Sequence, residues 1–182
     1  MSILILYRHW RWCRMIFVTV GSRNYQFNRL FERLDELFEK GMLSERVFAQ
    51  IGTSTYYPKH YEYKDYLTEE EFDSLINDSD IVIAHGGTGS IMRALNAGKK
   101  TILVTRLKKY GEHINDHQIQ NNIAFSSYGF ALMTGLELEN LGDCIKLIHE
   151  GNDDLKPWNN KNPMSIINMI DGLIQEKWNG LC

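Results

Sequence analysis

The sequence predicts an α/β domain: a mostly parallel sheet with helices on both faces. Three observations predict it. Short β-branched and aromatic runs alternate with stretches of three- and four-residue apolar spacing from residue 16 onward. The runs are closed by glycine or polar residues, the mark of a buried strand feeding a turn. No internal repeat, low-complexity tract or linker divides the chain, so one domain spans residues 15–182 and residues 1–14 are an extension.

The elements follow in order. Residues 16–20 read as the first strand, stopped by Gly21 and Ser22. Phe27, Leu30, Phe31, Leu34, Leu37 and Phe38 then form one apolar stripe, a helix ending near Gly41. Residues 47–51 are a second strand, closed by Gly52, and the tyrosine-rich stretch 56–66 carries a third near its end. Thr68 and Glu71 have the spacing of a capping box, which starts a helix running through Leu75 and Ile76. A fourth strand at 81–84, a helix at 88–97 ended by Gly98, and a fifth strand at 101–104 follow. Beyond a polar loop lie a helix at 117–126, a last strand at 130–133 and a helix at 136–149. Past Pro157 and Pro163 a final helix spans 164–178.

Composition narrows the function. The 182 residues suffice for one core, and 43% hydrophobic with 24% charged residues is the balance of an ordinary globular chain. No stretch reaches the roughly 20 apolar residues of a membrane-spanning helix. The net charge of -3, from 20 basic and 23 acidic residues, gives no field that draws nucleic acid, so any anion must be held by local geometry. Cys13, Cys144 and Cys182 are far apart and form no CxxC, which reads as reduced cytoplasmic thiols rather than a disulfide framework or zinc site. At the N-terminus an apolar run precedes Arg8, His9, Trp10, Arg11, Trp12 and Arg14, the reverse of a secretory signal. Basic and aromatic residues together suit a membrane interface. The strand that begins straight after Met15 favours an upstream extension, with Met15 as the functional start.

The chemistry-bearing stretch is 81–122. A buried strand runs into His85-Gly86-Gly87-Thr88-Gly89-Ser90 and then a helix. In a parallel sheet, ligands bind beyond the C-terminal strand ends. Glycines there let backbone N–H groups approach an anion, and the helix start adds free N–H groups and a positive dipole end. Thr88, Ser90 and His85 add donors, so the turn suits a phosphate or diphosphate. Taken alone, such a turn serves tight packing equally well. No Gly-Lys-Ser/Thr closes it, so it is not a P-loop, and Met92 stands where a dinucleotide fingerprint needs its third glycine. The second cluster is Glu112-His113-Ile114-Asn115-Asp116-His117-Gln118, with Asn121 and Asn122 beyond. Its amides and carboxylates suit sugar hydroxyls. The plain alternative is a solvated loop in which Asn115 or Asp116 caps a helix. His113, Asp116 and His117 lack the further ligands of a metal site.

These stretches, with residues 15–21 (Met15 to Gly21), resemble the C-terminal domain of family 28 glycosyltransferases. The likeness is strongest to small bacterial exopolysaccharide and capsule subunits related to the catalytic subunit of the eukaryotic dolichol-linked UDP-GlcNAc transferase. It covers the chain from Met15 onward, and three motifs in order carry it. The resemblance implies a Rossmann-like domain, the C-terminal half of a GT-B fold, that binds a UDP-sugar. His85, Gly87, Thr88, Gly89 and Ser90 would hold the donor diphosphate. Gln118, with His117 and Asn121, would contact the sugar, and Gly21 and Ser22 would face the cleft between the halves. One position departs: relatives carry a ribose-binding Glu where this chain has Arg93, which cannot accept from hydroxyls but can reach a phosphate or stack on a base. Glu112 and Asp116 are further candidates.

The implied reaction is an inverting hexosyl transfer (galactose, glucose or GlcNAc) in exopolysaccharide or capsule synthesis, with the glycine turn countering charge on the departing UDP. No cofactor and no obligatory metal are expected. The general base is expected from a membrane-anchored partner that binds a lipid-linked, undecaprenyl diphosphate sugar, with this chain cytoplasmic and peripheral at the inner face of the membrane. A non-catalytic UDP-sugar-binding regulatory subunit, a UDP-sugar epimerase and a nicotinamide-dependent oxidoreductase are the alternative readings.

Overall fold

The computed structural model describes residues 14–158. The expected final helix at 164–178 and nearly all of the N-terminal extension lie outside the described residues.

The strands are β1 (Met15–Thr19), β2 (Arg46–Gln50), β3 (Glu62–Lys64), β4 (Ile81–His85), β5 (Lys100–Val104) and β6 (Leu132–Met133). The helices are α1 (Asn28–Glu39), α2 (Glu69–Asp78), α3 (Thr88–Asn96), α4 (His117–Ser127) and α5 (Leu141–Glu150). A short 3-10 turn, Lys108–Tyr110, separates β5 from α4. All strand pairs are parallel, in the order β3-β2-β1-β4-β5-β6. The expected Rossmann-like sheet is therefore present.

Strand periodicity divides the core into two layers, because successive side chains point to opposite faces. Ile16, Val18, Ile81 and Ile83 face α1 and α5, meeting Leu30, Phe31, Leu34, Leu141 and Ile145. Phe17, Val82 and Ala84 face the other way, towards Phe72 and Ile76 of α2, Ile91 and Ala94 of α3, and Ala124 and Phe125 of α4. With helices on both faces, β4 is buried along its whole length, which explains its unbroken apolar run.

The expected capping box forms: Thr68 Oγ1 accepts from the Glu71 N–H at 3.2 Å, and Glu71 Oε2 accepts from the Thr68 N–H at 3.1 Å. Most boundaries fall within a residue or so of expectation, and two starts differ by more. The helix expected at 136–149 starts at Leu141, because Leu138 takes a left-handed φ of 62° and the Asn140 side chain turns back to accept from the Gly135 N–H at 2.7 Å. The expected strand at 130–133 shrinks to two residues, because the Phe130 N–H is spent on the Phe125 carbonyl at 3.0 Å, closing the end of α4.

The strand order places the site. From β1 the chain moves outward through β2 to β3, and from β4 it moves the opposite way through β5 to β6. The C-terminal ends of β1 and β4 thus sit side by side at the point where the winding reverses, where the following loops part and open a crevice.

Candidate functional site

His85 is the last residue of β4 and is only 7% exposed. Its ring is clasped between the loops after β1 and β4. A Cβ on Gly21 would lie 2.5 Å from His85 Cε1, and one on Gly87 would lie 2.3 Å from Nε2. Gly21 also has φ +73°, so glycine is required there twice over. Burial, then the neighbouring Arg106 charge and His113, push the His85 pKa down to about 3, against a backbone hydrogen bond at Thr19 that acts the other way. The imidazole is neutral at ordinary pH, and its Nδ1 has no partner among the described residues.

Gly86 performs a different service. A Cβ there would lie 2.5 Å from Gln118 Cβ and 2.8 Å from the Gln118 carbonyl oxygen. Its absence lets the start of α4 close onto the glycine turn, and Asn121 Nδ2 fastens the contact by donating to the Gly86 carbonyl at 3.0 Å. Two helix N-termini therefore converge on one crevice. At α3 the N-cap is Gly87, no side chain caps the helix, and Thr88 and Gly89 are exposed. A helix start so left presents unpaired N–H groups and the positive end of its dipole. A Cβ on Gly89 would have nothing within 4 Å, so the space before this helix end is open.

The crevice has a volume of about 400 Å³. Gly21 and Ser22, His85, Gly87 to Ser90, and His117, Gln118 and Asn121 all line it, so the two motifs and the first loop meet in space. Gln118 is nearly buried and its Oε1 accepts from the Arg106 N–H at 3.3 Å. Among the described residues its Nε2 makes no hydrogen bond, which leaves both amide N–H groups for a ligand.

Arg93, Glu112 and Asp116 do not line the crevice. Arg93 turns back to α2, donating to Asp73 Oδ1 at 2.6 Å and lying 4.6 Å from the Phe72 ring centroid. Glu112 is a buried brace: Arg29 donates to both its oxygens at 2.7 and 3.0 Å, and the Leu107 N–H donates to Oε2 at 2.8 Å. Asp116 Oδ1 accepts from the Lys108 N–H at 2.9 Å and caps nothing, while Asn115 Oδ1 accepts from the His117 N–H at 3.3 Å at the start of α4. No group of three or more His, Cys, Asp or Glu among the described residues is placed to hold a metal ion.

Sequence reasoning overlooks Arg23 and Arg106, both on the crevice wall, although Arg106 is only 1% exposed. The available signal is position: Arg106 lies two residues beyond β5, on the same sheet edge as His85. A larger groove of about 660 Å³ runs beside α1, but Glu32, Glu36, Glu112, Glu137 and Glu139 outnumber Arg29 and Arg33 on its walls, and a net negative wall disfavours phosphate. The smaller crevice has two arginines and no carboxylate on its walls.

An all-parallel sheet with an anion-receptive crevice at its switch point defines a Rossmann-like ligand-binding domain. The glycosyltransferase family 28 C-terminal domain matches residues 15–166, and the chain belongs to that family. It is 29% identical over 119 residues to the human UDP-N-acetylglucosamine transferase subunit ALG13, covering 59% of this chain and 10% of that protein. It is 30% identical over 108 residues to the Prochlorococcus marinus UDP-N-acetylglucosamine--N-acetylmuramyl-(pentapeptide) pyrophosphoryl-undecaprenol N-acetylglucosamine transferase, covering 57% of this chain and 28% of that one. Among solved structures, the glycotransferase of kitacinnamycin superposes with a TM-score of 0.59 at 17% identity, over 91% of this chain and 39% of that one. The chain thus spans well under half the length of each of these proteins and has the fold of one half of a GT-B glycosyltransferase.

Proposed function

We propose that the chain is the donor-binding subunit of a two-component inverting glycosyltransferase that moves a hexose from a UDP-sugar to a lipid-linked acceptor in exopolysaccharide or capsule synthesis. The observation that carries the reading is the crevice at the β1/β4 switch point, with the uncapped start of α3 and the start of α4 aimed into it. In this reading the diphosphate lies over residues 87–90, where N–H groups and the helix dipole counter the charge that grows on departing UDP. Gln118 Nε2 and His117 meet the sugar. Asn121, bound to Gly86, holds the two walls together. The names of the two curated relatives, both UDP-N-acetylglucosamine enzymes and one acting on an undecaprenol-linked substrate, support a UDP-sugar donor and a lipid-linked acceptor.

The acceptor hydroxyl must lose a proton as it attacks. No carboxylate lines the crevice among the described residues, and with the wall histidines His85 buried and His117 assigned to the sugar, this reading takes the base from a second, membrane-anchored polypeptide. Calorimetric titration of UDP, UDP-galactose, UDP-glucose, UDP-GlcNAc and NAD tests the donor reading. The expected result is binding of the UDP compounds, with Gln118→Ala weakening only those that carry a sugar. Gly89→Asp places a carboxylate in the open space before α3 without a clash, and is expected to abolish all of this binding while leaving the melting temperature unchanged or higher. Binding of NAD but not UDP would overturn the reading. UDP-sugar binding without hexose transfer in the presence of the co-expressed partner would reduce the chain to a sensing subunit.

A further inference from the structure

We propose that Arg106 is the charged contact for the diphosphate in this crevice, kept without a protein counter-ion so that the ligand supplies one; the inference rests on the donor-site reading above. The side chain lines the crevice and is 1% exposed, yet its Nε and Nη1 have no hydrogen-bond partner among the described residues. A buried guanidinium normally finds a carboxylate, because an uncompensated buried charge is strongly destabilising. The acid that acts on it is Glu112, but that carboxylate is already taken by Arg29 at 2.7 and 3.0 Å and by the Leu107 N–H. The other charge on the crevice wall is Arg23, which is of the same sign. The neighbouring His85 is neutral and adds no negative charge.

The backbone fixes the position. The Arg106 N–H donates to Gln118 Oε1 at 3.3 Å, tying the residue after β5 to the first turn of α4. The guanidinium is thus held against the same crevice that the starts of α3 and α4 face. The planar guanidinium, with N–H donors unused on both Nε and Nη1, suits the several oxygens of a diphosphate, a donor array that an ammonium does not reproduce. Burial lowers the Arg106 pKa only to about 10, so the group stays charged at neutral pH.

The test compares wild type, Arg106→Met and Arg106→Lys by calorimetry with UDP, uridine and inorganic pyrophosphate, and by thermal melting without ligand. Arg106→Met is expected to lose about tenfold or more in affinity for UDP and pyrophosphate, with uridine binding unchanged. It is also expected to melt above wild type when no ligand is present, because an unpaired buried charge has been removed. Arg106→Lys keeps the charge but not the fork, and is expected to fall between the two. UDP and pyrophosphate affinities within twofold across all three proteins would overturn the proposal. So would an unliganded Arg106→Met that melts below wild type, which would make the arginine a packing residue. If pyrophosphate binds in an Arg106-dependent way but UDP binds no better than pyrophosphate, the anion site stands and the UDP reading falls. If UDP binds strongly regardless of residue 106, the donor reading stands and this proposal falls. Absence of both UDP and pyrophosphate binding in wild type overturns both.

Discussion

Around His85 three side-chain volumes are set to nothing. Gly21 and Gly87 leave room for the imidazole, and Gly86 leaves room for α4. Gly87→Ala therefore drives a Cβ to 2.3 Å from His85 Nε2, and the ring must swing out of its slot. The expected outcome is a stability loss of about 1–3 kcal/mol by chemical denaturation, the usual range for overpacking. The buried ring also makes stability pH-dependent. Its pKa is about 3 in the fold, against roughly 6.5 in an unfolded chain. A depressed pKa gives a contribution that is complete above about pH 6.5 and is lost as pH falls towards 3, at up to about 1.4 kcal/mol per pH unit. Denaturant midpoints for wild type should fall more steeply between pH 7 and 4.5 than those of His85→Gln; parallel curves would mean that the ring is not held neutral. At this scale the glycine motif is legible in sequence because a glycine has a local reason to be where it is. Arg106 is not legible, since its meaning lies in a missing partner. Glu112 stands close by in sequence, and only the fold shows that this carboxylate belongs to Arg29 on α1.

At the scale of elements, two ion pairs of similar length have different weight. Arg29 and Glu112 join α1 to the loop after β5, with Glu112 1% exposed, and Arg29 also donates to the carbonyls of Thr105 and Leu136 at 2.6 and 2.7 Å. Arg93 and Asp73 join α3 to α2 at the surface. Glu112→Ala should cost about 3 kcal/mol, because the half-buried Arg29 guanidinium loses its carboxylate and the buried Leu107 N–H its acceptor, whereas Asp73→Ala should cost about 1 kcal/mol or less. Paired denaturation curves measure the contrast, and equal losses would contradict it. The surface pairing accounts for Arg93 in this fold: its charge is spent on α2, away from the crevice. Strand and helix order is legible because buried β-branched runs and apolar helical spacing are strong local signals. The start of α5 is not legible, because Leu138 in a left-handed conformation and the Asn140 side chain end the loop through contacts that periodicity does not encode.

At the scale of the whole molecule, the strand order concentrates function at one place. Loops from β1, β4 and β5 are far apart in sequence, yet the reversal of winding between β1 and β4 brings Gly21, the residue 85–90 turn and the start of α4 to one edge. That convergence is readable from the sequence only as a class of fold; the walls themselves, with two arginines and no carboxylate, need the three-dimensional arrangement. Such walls suit a diphosphate. No helix among the described residues is long and apolar enough to cross a membrane. The most direct test of the central claim is a backbone amide NMR titration of the purified chain with UDP. Saturable shifts confined to residues 21–23, 86–90, 106 and 113–121 are the expected result. Shifts centred on the acidic groove beside α1, or none at those positions under saturating UDP, would contradict the placement of the donor site.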